Sequence, residues 1–161
     1  MLNLYLLRHG KAANAKTNQS DYDRPLNKKG IVQINQIGYI LGQSSKKIEQ
    51  IISSSAQRTK ETSEITNNYL NLPNISYHDD LYLAQHIDII SKISDLATEK
   101  SVLYVGHNFG ISDLVSYLVG DIYSMTTGML IEIEFEFDDW KMISSSSGSL
   151  KNIQQPRIYI P

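Results

Sequence analysis

Short apolar runs alternate with segments of helical periodicity along most of the chain. Residues 2–7 are apolar except for Asn3 and predict a buried strand. Asn27 can cap a helix that ends at Gly42, and its apolar positions are Ile31, Ile34, Ile37 and Leu41. Further strands are predicted over 48–53, 75–77 and 101–105, and further helices over 56–69, 87–98 and 111–119. This order is typical of a mostly parallel sheet with helices on both faces.

The carboxyl-terminal part has a different pattern. Residues 129–137 alternate between apolar positions and glutamates, which predicts a strand with one solvated face. Asp138 and Asp139 offer a turn into residues 140–143, so we expect an antiparallel hairpin. Residues 144–149 hold five serines and a glycine, and we expect a loosely attached tail from about residue 144. The prediction is a single α/β domain over 1–161, a three-layer sandwich with a hairpin at its carboxyl end.

Composition excludes several classes of protein. The 161 residues are 41% hydrophobic and 20% charged, as in a globular domain large enough to bury a core. The net charge of −2 gives no general attraction to nucleic acid. The absence of cysteine excludes disulfides, thiolate metal sites and cysteine nucleophiles. No apolar run approaches the length of a membrane span, so we expect a cytoplasmic protein with no membrane or nucleic-acid partner.

Polar side chains gather in loops that directly follow predicted strands. Arg8, His9 and Gly10 follow the first strand, residues 54–58 follow the second, and residues 106–108 follow a later one. Ligands bind outside the carboxyl ends of parallel strands, so these loops are expected to share one pocket. Two guanidiniums, those of Arg8 and Arg58, are unfavourable there without an anion between them. A phosphoryl group accepts paired hydrogen bonds from each, so we expect phosphate or sulfate in the pocket.

Two of the four histidines, His9 and His107, come directly after strands. A neutral imidazole held in such a pocket can attack phosphorus and form a phosphohistidine, with the arginines stabilising the transition state. A lone histidine after a strand is more often structural, and a histidine pair can also bind a metal. Because the adjacent arginines would repel a cation, we expect neither a metal nor another cofactor.

Three sequence elements carry a resemblance to a known family. Leu7-Arg8-His9-Gly10, Ser55-Ala56-Gln57-Arg58-Thr59 and Gly106-His107-Asn108 resemble the signature of the histidine phosphatase superfamily, also called the phosphoglycerate-mutase-like fold. The short chain and the segment Asp21-Tyr22-Asp23-Arg24-Pro25-Leu26 resemble the small bacterial phosphohistidine phosphatases that act on phosphorelay proteins. The resemblance spans about residues 2–137.

The resemblance implies a role for each matching position. His9 would be the phosphorylated nucleophile, and the rest of the phosphate pocket would be formed by Arg8, Arg58 and His107. Arg24 would contact an anion at the mouth of the pocket, unless it only pairs with Asp21. We also expect Gly10 and Asn108 to contribute to substrate binding.

One feature departs from the family. Larger members carry a glutamate as proton donor in the loop after the third strand, and residues 81–85 hold no carboxylate here. An alkoxide leaving group needs a proton, whereas a protonated phosphohistidine departs as neutral imidazole. This favours phosphohistidine on a signalling or phosphotransfer protein as substrate. Asp21, Asp23 and His86 stay open as proton donors.

Two other functions stay open at this point. The same pocket could hydrolyse a small phosphoester metabolite, although no long insertion separates Arg58 from Gly106 to form a lid over a small molecule. The chain could also be a non-enzymatic phosphate-docking module. Its two pocket histidines disfavour that reading, because the arginines alone would suffice for binding.

Overall fold

A computed structural model describes residues 1–157 and shows a mixed sheet of six strands with four α-helices. The strands are β1 Leu2–Arg8, β2 Gln50–Ser54, β3 Ser76–His78, β4 Ser101–Gly106, β5 Leu130–Phe135 and β6 Gly148–Gln154. The helices are α1 Lys28–Gln43, α2 Gln57–Leu70, α3 His86–Leu96 and α4 Gly110–Val119. Short 3-10 turns cover Asp21–Asp23, Asp79–Leu81 and Trp140–Met142.

The strand order in the sheet is β3-β2-β4-β1-β5-β6. The first four strands in this order are parallel to one another, and β5 and β6 are antiparallel additions at one edge. The predicted α/β sandwich is therefore confirmed, with an antiparallel pair of strands, β5 and β6, at its carboxyl end.

The central strand β1 contributes to a hydrophobic core on each face of the sheet. Leu4 and Leu6 pack with the apolar side chains of α3 and α4, whereas Tyr5 and Leu7 pack with those of α1 and α2. Successive side chains of a strand point to opposite faces, so an almost continuous apolar strand must be covered on both. This burial fixes the end of β1 rigidly within the molecule.

Helix α1 begins as predicted and ends later than predicted. The side chain of Asn27 accepts a hydrogen bond from the backbone N–H of Gly30 at 2.8 Å, which confirms the cap. The helix continues one residue past Gly42, to Gln43, and the glycines on this face allow α1 to lie close to α2. A Cβ atom on Gly38 would lie 2.4 Å from the ring of Tyr69. Ile31, expected in the core, is 42% exposed.

The hairpin has a different second strand from the one expected. Residues 140–143 do not pair with β5; they contain a 3-10 turn in which the buried Trp140 donates from its indole nitrogen to the carbonyl of Glu99 at 2.7 Å. The partner of β5 is β6, which lies within the segment expected to be a loose tail. The sequence of β6 is mostly polar and therefore does not predict a strand. β6 pairs with backbone groups of β5 that would otherwise be unpaired at the edge of the sheet. Residues 158–161 of the expected tail lie outside the described part of the chain.

Within residues 1–157, no helix has both the length and the apolar character that a membrane span requires.

Candidate active site

The register of the parallel strands aligns the loops that were expected to form the site. Arg8 at the end of β1 pairs with Gly106 at the end of β4, and Ser53 of β2 pairs with Val105 of β4. The residues that follow these strands therefore emerge side by side at one edge of the sheet. A cavity of about 310 Å³ lies there. Its lining includes Arg8, His9, Arg24, Arg58, His107 and Asn108.

The hydrogen bonds of His9 define which ring nitrogen carries its proton. Nδ1 lies 2.7 Å from the carbonyl oxygen of Gly10, and Nε2 lies 3.3 Å from Nε of Arg58. A carbonyl can only accept and a guanidinium can only donate, so the proton is on Nδ1 and the lone pair is on Nε2. Nε2 therefore has the free lone pair that a nucleophile needs.

The environment keeps His9 uncharged. Burial lowers the pKa of His9 from 6.5 to about 4, and the nearby cations of Arg58, Arg8 and Arg24 act in the same direction. The hydrogen bond to Gly10 opposes this shift without overcoming it. At neutral pH the imidazole is therefore a free base.

Arg58 lies in the first turn of α2 and is buried. Its two terminal nitrogens donate to Asp21, one to the backbone carbonyl at 2.7 Å and the other to the carboxylate at 3.0 Å. The second carboxylate oxygen of Asp21 accepts from Arg24 at 2.9 Å, which confirms the pairing of Arg24 with Asp21. A carboxylate of the protein thus supplies an anion to two of the three pocket arginines.

Asp21 is held ionised by these contacts. A hydrogen bond from the hydroxyl of Tyr82 lowers the pKa of Asp21 well below its usual range, and the hydrogen bonds from Arg24 and Arg58 lower it further. A carboxyl group in this state does not act as a proton donor. Among the candidates for the general acid, Asp21 is therefore disfavoured although it lies next to the pocket.

Arg8 is bound on one side only. Its Nη1 donates to the carbonyl of Met125 at 2.9 Å, whereas its buried Nε has no hydrogen-bond partner among the described residues. Burial lowers the pKa of Arg8, and the neighbouring charge of Arg58 adds to the effect. A buried donor without an acceptor is unfavourable, so the cavity favours an anion with several oxygens.

His107 lies beside His9, with 5.3 Å between the ring centroids. Its Nε2 is 2.8 Å from the hydroxyl of Ser54, and its buried Nδ1 has no partner in the described part of the chain. Burial, followed by the proximity of His9 and Arg58, lowers the pKa of His107 far below its ordinary value. The pocket thus contains two uncharged imidazoles and three arginines.

The three residues expected to bind substrate have different positions. Arg24 and Asn108 line the cavity, and Arg24 is anchored through Nε to the carbonyl of Ala13 at 2.8 Å. Gly10 does not line it; its N–H donates to the hydroxyl of Thr62 at 3.2 Å. A Cβ atom on Gly10 would lie 2.8 Å from the carbonyl oxygen of Gly30, so this glycine permits close packing of the loop on α1.

The two other candidate proton donors lie outside the cavity lining. Asp23 accepts a hydrogen bond from Ser20 at 2.8 Å, and His86 packs against the ring of Tyr117. No aspartate or glutamate is present among the described residues that line the cavity. Nor does any group of three histidine, aspartate or glutamate side chains within residues 1–157 converge as metal ligands.

Several residues of the site were not assigned from the sequence. Ser54 holds His107, Tyr82 holds Asp21, and Leu83 and Thr127 line the cavity. Residues 81–85 hold no carboxylate, so the sequence assigns no catalytic group to this loop. Thr127 lies in the loop before β5, and no local pattern in the chain marks that loop as part of a site.

Comparison with known proteins gives consistent matches. The model of the histidine phosphatase superfamily (branch 1) matches residues 4–82. An uncharacterized chloroplastic protein of Arabidopsis thaliana is 28% identical over 159 residues, covering 90% of this chain and 72% of that protein.

Solved structures match over nearly the whole fold. SixA of Agrobacterium tumefaciens, a candidate phosphohistidine phosphatase, is 25% identical with a TM-score of 0.84, covering 96% of this chain and 98% of its own. The protein histidine phosphatase SixA in complex with tungstate is 24% identical with a TM-score of 0.81, covering 96% and 97%.

Proposed function

The chain belongs to the histidine phosphatase superfamily, and from this premise we propose that it removes phosphoryl groups from phosphohistidine on a protein, with His9 as the nucleophile. The observation that carries the proposal is the state of His9. Its proton is held on Nδ1 by the carbonyl of Gly10, and its Nε2 lone pair is on the side of Arg58 and the cavity.

In the first step, Nε2 of His9 attacks phosphorus. An incoming phosphoryl group offers its oxygens to Arg58 and Arg8, and Arg58 then releases Nε2. A bond forms between phosphorus and His9 while the bond to the substrate nitrogen breaks. The guanidiniums stabilise the charge on the equatorial oxygens of the transition state.

Proton balance supports a phosphohistidine substrate. The substrate imidazole, protonated on its second nitrogen, departs neutral with that proton, and His9 keeps its own proton on Nδ1. Donor and acceptor are chemically equivalent imidazoles, so no proton donor is needed. An alkyl phosphate would instead release an alkoxide into a cavity whose described lining contains no carboxylic acid.

In the second step, water attacks the phosphorus held by His9. The new oxygen bond forms as the bond to Nε2 breaks, both protons of the water leave on dihydrogen phosphate, and His9 returns to its neutral form. His107, uncharged and fixed by Ser54, lies beside the phosphoryl group and can donate or accept a hydrogen bond there.

The related SixA structure with tungstate supports the same assignment of the pocket. Tungstate is a tetrahedral oxyanion like phosphate, and the protein that binds it shares this fold. In the present chain, the buried Arg58 and the unpartnered Nε of the half-buried Arg8 supply the donors that such an anion requires.

The test is release of phosphate from a chemically phosphorylated histidine peptide in the presence of a chelator. We expect turnover by the wild-type protein, loss of at least about 1,000-fold in His9→Ala, and a phosphoryl-enzyme in wild type that acid destroys and alkali preserves. His86→Ala is the matched control on a histidine outside the cavity lining.

Undiminished release by His9→Ala would exclude His9 as the nucleophile. Preference for a sugar phosphate would assign the pocket to a metabolite, and phosphate binding without turnover of either substrate would assign it to docking.

A further inference from the structure

Leu83 occupies an unusual position at the mouth of the cavity. Its side chain lines the cavity together with Arg8, His9, Arg58 and His107, yet it is 51% exposed. Its backbone has φ of +51°, in the left-handed region that a bulky residue such as leucine rarely adopts. Strained residues of this kind persist where the surrounding structure holds them, and they cluster at functional sites.

The neighbours of Leu83 hold it in place on both sides. Leu81 is buried in the core, and Tyr82 donates to Asp21 while its ring lies 5.4 Å from that of His107. On the other side, the carbonyl oxygen of Ala84 would lie 1.9 Å from a Cβ atom on Gly110, so the two loops are in close backbone contact. The backbone on both sides of Leu83 is therefore held by contacts with the rest of the molecule.

A second apolar side chain lies on the adjoining loop. Phe109 follows the cavity-lining Asn108 and is 81% exposed. Large apolar side chains exposed next to a site are typical of recognition surfaces. We refer to Leu83 and Phe109 together as the apolar lip.

The chemistry of phosphoryl transfer defines what meets this lip. The attacking and leaving atoms lie roughly in line on opposite sides of phosphorus. Since His9 is buried at the base of the cavity, the leaving group must lie at its open side. Leu83, exposed at the cavity wall, is on that side.

We propose that Leu83 contacts the leaving group and selects a neutral, planar imidazole, and that Phe109 extends this contact to the protein segment that carries it. The inference rests on the proposed phosphatase function and deepens it. An apolar contact stabilises an uncharged imidazole ring, whereas it disfavours an alkoxide by removing water without supplying a proton donor. Substrate selection would thus reside in side chains that take no part in the phosphoryl transfer itself.

The experiment for Leu83 compares two donors with nitrogen–phosphorus bonds. The first is a phosphohistidine peptide, which has a ring for Leu83 to contact, and the second is phosphoramidate, which has none. In Leu83→Asn, which tolerates the left-handed backbone, we expect the ratio of kcat/KM for peptide over phosphoramidate to fall about 10-fold. Leu83→Met, which restores an apolar contact, should keep at least half of the wild-type ratio.

The experiment for Phe109 compares the phosphohistidine peptide with free phosphohistidine. In Phe109→Ala we expect the ratio of kcat/KM for peptide over amino acid to fall about 5-fold. Met142→Ala is the control for both ratios, because Met142 is 58% exposed in the 3-10 turn of Trp140. The indole of Trp140 bonds to Glu99, just before β4 begins, whereas the site lies where β4 ends. The ratios of this variant should equal those of wild type.

The outcomes separate the two proposals. Equal losses on both substrates of a pair would show a structural role, and unchanged ratios would show no contact; either result overturns the inference while leaving the phosphatase function intact. Failure of the wild-type protein to release phosphate from any phosphohistidine substrate would overturn the proposed function itself. Circular dichroism and thermal unfolding of each variant verify that the comparison is made between folded proteins.

Discussion

Nε of Arg58 donates a hydrogen bond to Nε2 of His9 at 3.3 Å, across 49 positions of the chain. This contact stabilises the neutral form of His9, since the donor needs the lone pair that protonation would remove. It also means that a cation of the pocket, rather than a carboxylate, orients the nitrogen we assign as nucleophile. The carboxylate of Asp21 binds Arg58, which in turn contacts His9.

The first prediction concerns the pKa of His9. In the wild-type protein we expect it near 4, and Arg58→Met should raise it by about one unit or more because a cation and a hydrogen bond to the neutral form are both lost. The measurement is a titration of the imidazole nitrogens by NMR. Lys60→Met, on the same helix, is the control and should leave the titration unchanged. A lower pKa in Arg58→Met would contradict the assigned direction of the hydrogen bond.

The second prediction concerns stability against acid. The pKa of His9 is 6.5 when unfolded and about 4 when folded, so the unfolded chain binds more protons between these values. The contribution of neutral His9 is fully present above pH 6.5 and is lost as the pH falls towards 4, amounting to about 3 kcal/mol. Urea unfolding at pH 7, 6 and 5 should show the part of this loss that falls above pH 5, and the unfolding free energy of His9→Asn should decrease less steeply with pH. An equal slope in that variant would contradict the prediction.

The third prediction concerns Asp21 as a positioning residue. Asp21→Asn removes the charge that holds Arg58 and Arg24, so we expect kcat/KM on a phosphohistidine peptide to fall about 10-fold. Stability should fall by about 1–2 kcal/mol, because hydrogen bonds to a charged group are lost. Asp23→Asn, in the same 3-10 turn, should change kcat/KM less than about twofold. Equal effects of the two variants would show that the turn, rather than the carboxylate, is responsible.

The fourth prediction separates the support of His107 from general packing. Ser54 and Ser53 are adjacent and fully buried, but only Ser54 contacts His107, whereas Ser53 bonds to Ser63 at 2.9 Å. Both alanine variants should lose about 1–3 kcal/mol of stability, because each leaves a buried polar group unpaired. Only Ser54→Ala should also lower kcat, by about 10-fold, in steady-state assays. Equal kcat values for the two variants would exclude a role for this hydrogen bond.

The periodicity of apolar residues predicted most of the fold, because it shows which side of each helix or strand is buried. The apolar run of β1 is covered on both faces, and the regular apolar spacing of α4 is buried as expected, with the helix closed by Gly120 in the left-handed conformation. The polar sequence of β6 carried no such signal, since its position depends on the unpaired backbone of β5. Helix α1 ends one residue beyond the predicted Gly42, which lies against Tyr69 of α2.

The sequence by itself determined which side chains follow which strands, and so placed Arg8, His9, Arg58 and His107 at one edge of the sheet. That information is local, because a residue directly after a strand inherits the position of the strand's end. Only the tertiary structure decided that Asp21 binds Arg58, that Ser54 binds His107, and that Leu83 lines the cavity while half of it stays exposed. Such contacts join residues remote in the chain through side-chain directions, and these are fixed by packing and not by any local pattern.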